Sequence, residues 1–117
     1  MNTRLIGARG EKRAALHLWL HGYRVLEKNF RFGREAEIDL IARKRGVTVF
    51  VEVKARSGEK YGSGREAVTR QKREHIRLAA EYYRQKHGLT DQPCRFDVIE
   101  LADRDGRTRL THIENAF

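Results

Sequence analysis

The sequence predicts an α/β domain in which a mixed five-stranded sheet is packed by two helices. Three observations carry this. The stretch from Glu37 to Lys54 holds two Ile- and Val-rich runs around a polar turn ending in Gly46, the pattern of a β-hairpin. Two longer segments with apolar residues three and four apart flank it, and end in Gly22 and Gly88 as capped helices do. Two further apolar runs follow Pro93 and are joined through Asp105-Gly106, a turn signal. The expected order is α-β-β-β-α-β-β. At 117 residues the chain suits a single domain, 1–117, that buries roughly two thirds of its unfolded surface.

Composition narrows the function. The chain carries 25 Lys and Arg against 16 Asp and Glu, a net charge of +9. That excess points to a polyanion, most simply nucleic acid, and the preponderance of Arg suits bidentate phosphate contacts. An anionic membrane is the rival partner, but no basic amphipathic helix with an exposed apolar face supports it. No apolar run reaches the ~18 residues a membrane span requires, and the first residues lack the apolar core of a signal peptide. Cys94 is the sole cysteine, so an internal disulfide is excluded, in keeping with a reducing, cytoplasmic setting.

The elements follow in order. The first helix is expected from about Thr3 to His21, with Leu5, Ala8, Ala15, Leu18 and Trp19 within one arc. Glu11 falls inside that arc, and an inward glutamate needs a partner or a job. Tyr23 to Phe30 reads as a short strand, followed by a basic link from Arg31 to Ala36 into the hairpin. A loop with three glycines runs from Ala55 to Gly64, and Ser63 with Glu66 forms a capping box for the second helix, which reaches about His87. Val68, Ile76, Ala79 and Tyr83 form its inner stripe, with Lys72 pointing the same way. Arg95 to Leu101 and Arg107 to Glu114 are the last two strands.

The hairpin concentrates the chemistry. Closed over Arg45-Gly46 as a two-residue loop, it pairs Ala42 with Val49, Leu40 with Val51 and Ile38 with Val53 on one face. The other face pairs Ile41 with Phe50, Asp39 with Glu52, and Glu37 with Lys54. Two carboxylates facing each other about 5 Å apart repel by roughly 3 kcal/mol at an effective dielectric of 20. Mg²⁺ reverses that sign, because it takes hard oxygen ligands and is commonly held by one or two carboxylates and water. A solvated face with Arg side chains neutralising the acids is the plain alternative.

Asp39, then Glu52-x-Lys54 at a strand's end, resembles the PD-(D/E)xK nuclease motif, and the element order is similar to that superfamily's restriction-endonuclease-like αβββαβ core. More closely, Gly10-Glu11, Gly22-Tyr23, Asn29, Glu37-Ile38-Asp39-Leu40-Ile41-Ala42, Phe50 to Arg56, Tyr61-Gly62 and Lys72 resemble the YraN family of small endonuclease-like proteins. That family is in turn similar to archaeal Holliday-junction resolvases. The sequence departs at Ile38, where the superfamily motif has proline, and at Ala36, where the YraN pattern has glycine. The resemblance implies that Asp39, Glu52 and the Val53 carbonyl ligate Mg²⁺, with Mn²⁺ as substitute, that Lys54 addresses the attacking water, and that Glu11 holds water at the metal. It implies DNA, branched or junction DNA included, as substrate. Arg9, Arg31, Arg34 and Arg56 are expected to meet the nucleic acid, as are Lys60, Arg70 and Lys72. A homodimer is compatible with the sequence. The alternative function is a nucleic-acid-binding module with a vestigial, inactive site.

Other residues weigh less. His17 and His21 have the i, i+4 spacing of a zinc pair, but no glutamate follows His17 and both point away from Glu11. Cys94 reads as packing, and Tyr82 and Tyr83 as core or helix surface.

Overall fold

A computed structural model describes residues 3–57 and 68–117. Its elements are α1 (Thr3–Leu20), β1 (Arg24–Phe32), β2 (Ala36–Lys44), β3 (Val47–Ser57), α2 (Arg70–Lys86), β4 (Cys94–Arg104) and β5 (Arg107–Ile113). The strands form one five-stranded sheet in the order β1-β2-β3-β4-β5. Among the described residues only the β3–β4 pairing is parallel, so the sheet is mixed as expected. No helix among the described residues is long and apolar enough to cross a membrane.

Turn chemistry fixes the hairpins. Arg45 and Gly46 both have positive φ (51° and 79°), as do Asp105 and Gly106 (52° and 74°), so both loops twist with their strands. The register matches the expected one for Ala42↔Val49, Ile41↔Phe50 and Leu40↔Val51. Beyond Leu40↔Val51 the ladder ends, so the expected backbone pairings of Ile38 with Val53, Asp39 with Glu52 and Glu37 with Lys54 do not form.

Strand periodicity sorts two cores onto the two faces of the sheet. Under α2 lie Ile41, Phe50, Val98, Ile76, Ala79 and Tyr83. Val68 joins this cluster from just ahead of the helix, which starts at Arg70 with Thr69 as its N-cap. The expected capping box at Ser63 and Glu66 lies outside the described residues. Tyr83 is buried edge-on to Phe50, whereas the exposed Tyr82 stacks on Phe32 with ring centroids 4.5 Å apart. Under α1 lie Leu40, Ala42, Val49, Val51 and Ile99, covered by Ala14 and Leu18. Trp19 is 68% exposed, against expectation. Leu18 lies in the core and Ala15 packs against it as expected, and Ala14, outside the predicted arc, takes the inward place that Trp19 does not. The side chains of Leu5 and Ala8 lie outside the described residues.

The end of α1 is fastened twice. Tyr23 N–H donates to the Leu18 carbonyl (2.8 Å) and Gly22 N–H to that of Trp19 (3.1 Å), with Gly22 at φ 84°, where a side chain would be strained. Beneath it, fully buried Asp97 accepts from Arg95 Nε (2.9 Å) and Nη2 (2.8 Å), from the Asn115 amide (3.1 Å) and from His112 Nε2 (2.7 Å). On its other side His112 Nδ1 lies 3.1 Å from His17 Nε2, the direction of that bond depending on the tautomers. Burial alone pushes the Asp97 carboxyl up, but the bonds from His112, Arg95 and Asn115 outweigh it and hold the group below its ordinary value. His17 is lowered by burial and by its neighbours His21 and His112. This network ties α1 to β4 and β5.

Candidate metal centre

The site begins where the β2–β3 ladder stops. The alternation set by the two-residue loop turns the Val53 N–H toward β2, where a regular strand would offer it a backbone carbonyl. Instead it donates to Asp39 Oδ2 at 2.8 Å. A side-chain oxygen thus replaces the ladder, the strands part, and the two acids are relieved of a face-to-face cross-strand position. Because N–H and C=O of one strand residue point to the same side, the Val53 carbonyl also faces this gap.

Glu52 is 4% exposed and is neutralised by two lysines. Its Oε1 accepts from Lys72 Nζ at 2.5 Å and from Lys54 Nζ at 3.3 Å. Lys54 comes from the same strand two residues on, and Lys72 from the first turn of α2, which lies over this face. A buried carboxylate left unpaired would be costly, and this arrangement avoids it. Asp39 fares differently. Burial, then repulsion from Glu52, raises its carboxyl from 3.8 to about 7, despite the Val53 amide, with Glu11 raising it further and Lys72 opposing. Lys54 is lowered by burial and by its bond to Lys72, with Glu52 pulling the other way. Burial also pulls Lys72 down, but its bonds to Glu52 and Lys54 outweigh that and raise it.

Asp39, Glu52 and Lys72 line a cavity of about 210 Å³ together with Glu35, Glu37, His75 and Ile76. Glu35 pairs with His75 (3.4 Å), and Glu37 with Arg31 (3.7 Å). Glu37 was legible as a period-two neighbour of Asp39. Glu35 and His75 carry no such signal, since a turn and a helix bring them together.

Glu11 approaches from α1, on the opposite face of the sheet. Gly10 lets α1 settle there: a Cβ at that position would lie 3.2 Å from Leu101 Cδ1 and 3.9 Å from Val53 Cγ1. Glu11 is half-buried, and its charge reaches Asp39, although it does not line the cavity. Of the basic residues singled out, Arg34 is exposed in the β1–β2 turn, Arg70 is exposed and paired with Glu74 (3.5 Å), and Arg56 is half-buried on β3. The Arg9 side chain and Lys60 lie outside the described residues.

The donor set fits a hard divalent cation. Asp39 Oδ1 and Glu52 Oε2 accept no bond from the described residues, and the Val53 carbonyl faces the same gap. No group of three carboxylate, imidazole or thiol ligands is already gathered among the described residues. Two carboxylates and a carbonyl, which water would complete, would suit Mg²⁺ rather than a closed zinc cage.

The description "Uncharacterised protein family UPF0102" belongs to a family model that matches residues 10–101. A UPF0102 protein of Symbiobacterium thermophilum is 47% identical over 116 residues, covering 98% of each chain. One from Pelotomaculum thermopropionicum is 47% identical over 116 residues, 97% of this chain and 96% of the relative. One from Clostridioides difficile is 44% identical over 117 residues and the full length of both. With the model spanning the site from Gly10 to Leu101 and such relatives matching end to end, the chain belongs to the UPF0102 family, which is the YraN family its motifs resemble.

Proposed function

We propose that the protein is a Mg²⁺-dependent nuclease that hydrolyses phosphodiester bonds in DNA, with branched or junction DNA as its substrate class. The observation that carries this is the Asp39–Glu52 pair at the parted strands, with Lys54 and Lys72 both on Glu52 Oε1. Asp39, Glu52 and the Val53 carbonyl would hold the cation. Bound there, it supplies Lewis acidity, lowering the pKa of water and neutralising charge at phosphorus. Lys54, lowered by burial and by Lys72, is placed to exchange a proton with the attacking water. Lys72 keeps its proton and offers charge to the pentavalent phosphorus. Glu11 adds negative charge near Asp39 from the α1 side, which the cation would offset. The branched substrate rests on the resolvase resemblance.

The test is incubation with duplex, single-stranded, flap and four-way DNA in Mg²⁺ or Mn²⁺. Cleavage of at least one substrate, lost with EDTA, is expected. Binding without cleavage under either metal would replace this reading with the nucleic-acid-binding module.

Metal affinity should also depend on pH. A cation requires the Asp39 carboxylate, which is protonated below about 7. Calorimetric titration with Mg²⁺ is expected to show affinity rising about tenfold per pH unit up to that value and levelling above it. A flat profile from pH 5.5 to 8.5 would remove Asp39 from the ligand set.

A further inference from the structure

On the α2 face of the sheet the buried cluster stops at Val98 and its neighbour Ile113. Past it the register continues: Lys54 lies beside Glu100 and Thr111, Arg56 beside Ala102 and Arg109, and Arg104 beside Arg107. Arg107 and Arg109 are exposed, and their side chains make no ion pair or hydrogen bond to any described residue. They line an open hollow of about 670 Å³ with Ala102, Asp105 and Thr108. Arg13 of α1 adds a third guanidinium at this end, donating to the Thr108 carbonyl at 3.3 Å. The acids nearby are Glu100, Asp105 and Asp103, and Asp103 is engaged by the Thr108 hydroxyl.

Resting on the nuclease reading, we infer that the β4–β5 hairpin is a phosphate-binding arm that grips duplex DNA flanking the bond to be cut. Four residues along β3 from Glu52 and two strands across, Arg109 stands roughly 16 Å from Glu52. At 3.4 Å per base pair that span is about four or five base pairs. A duplex holds its phosphates at such a fixed offset, whereas a single strand does not. The arm therefore sets the substrate class: the cleaved bond adjoins a double-stranded segment, and a mononucleotide or short oligonucleotide cannot reach both places at once.

The experiment is metal-free binding to a 20-base-pair duplex, followed by fluorescence anisotropy from 50 to 250 mM KCl. Replacing both arginines (R107A with R109A) is expected to weaken duplex binding roughly 10- to 100-fold and to lower the slope of log affinity against log salt by about 2. R107K with R109K keeps the charge and is expected to keep the slope. Loss of slope in both variants, or in neither, overturns the arm. If the wild type cuts DNA while the alanine pair binds duplex unchanged, the arm alone fails and the nuclease reading stands. If the wild type neither binds nor cuts DNA, that reading fails and takes the arm with it.

Discussion

Asp39→Asn is expected to cut DNA cleavage by on the order of 10³-fold while making the metal-free protein harder to unfold at pH 8. Both effects come from one carboxylate. The amide keeps an oxygen for the Val53 N–H, so the end of the ladder survives. It is a poorer Mg²⁺ ligand, so the chemistry does not. The stability sign follows from the raised pKa. Asp39 sits at about 7 in the fold against 3.8 ordinarily, so its contribution is fully present below 3.8 and is lost as pH rises through about 7. Above that, the folded protein holds an ionised group that burial and Glu52 disfavour. Removing its charge should recover on the order of 2 kcal/mol, a rise in the metal-free melting temperature of roughly 5–10 °C at pH 8. Below about pH 3.8 variant and wild type should melt together, and the gap between them should open from there to about pH 7. Adding Mg²⁺ should stabilise the wild type and leave the variant unmoved. A variant that cleaves like wild type would end the metal-site assignment, whatever its melting temperature.

Asp97→Ala is expected to be the most damaging single change to the fold. It strips the acceptor from Arg95, His112 and the Asn115 amide at once, in a place without solvent. Breaking a buried pair by deleting one partner typically costs about 3–5 kcal/mol, a large share of a small domain's ~5–15 kcal/mol. Urea denaturation should show a much lower midpoint, or little folded protein. Loss of less than about 1 kcal/mol would mean that water replaces the carboxylate without cost. The pH dependence of the wild type supplies a second check. The lowered Asp97 contributes above 3.8 and fails as pH falls through its folded value. The lowered His17 contributes above 6.5 and is lost on the same descent. Acidification should therefore loosen α1 from β5, and in Asp97→Ala the Asp97 part of that acid sensitivity should be gone.

The hairpin was legible because its information is local. Period-two alternation and a two-residue loop leave one register that sorts apolar from polar, and the observed pairs from Leu40 to Lys44 obey it. The parting of the strands was not legible, because it depends on a side chain outcompeting a backbone carbonyl for the Val53 amide. The α1 stripe failed at Trp19 for another reason. Leu18 and Trp19 are adjacent on the helix, and only the docking angle on the sheet decides which one turns inward. The acids and lysines of the site share two strands and one helix turn, so spacing revealed most of them. The Asp97–His112–His17 network joins residues up to 95 positions apart, which no local pattern encodes.

The single parallel pairing has a kinetic consequence. β1, β2 and β3 form a meander and β4 and β5 a hairpin, each closable by short loops. The ten-rung seam from Thr48↔Cys94 to Ser57↔Asp103 is what unites them, and it can zip only after the chain through α2 has been drawn back across the sheet. Contact order assigns the slow step of folding to that seam. Glu52 and Lys54 are rungs of it, so the candidate centre is assembled in the same event that commits the chain to its native topology.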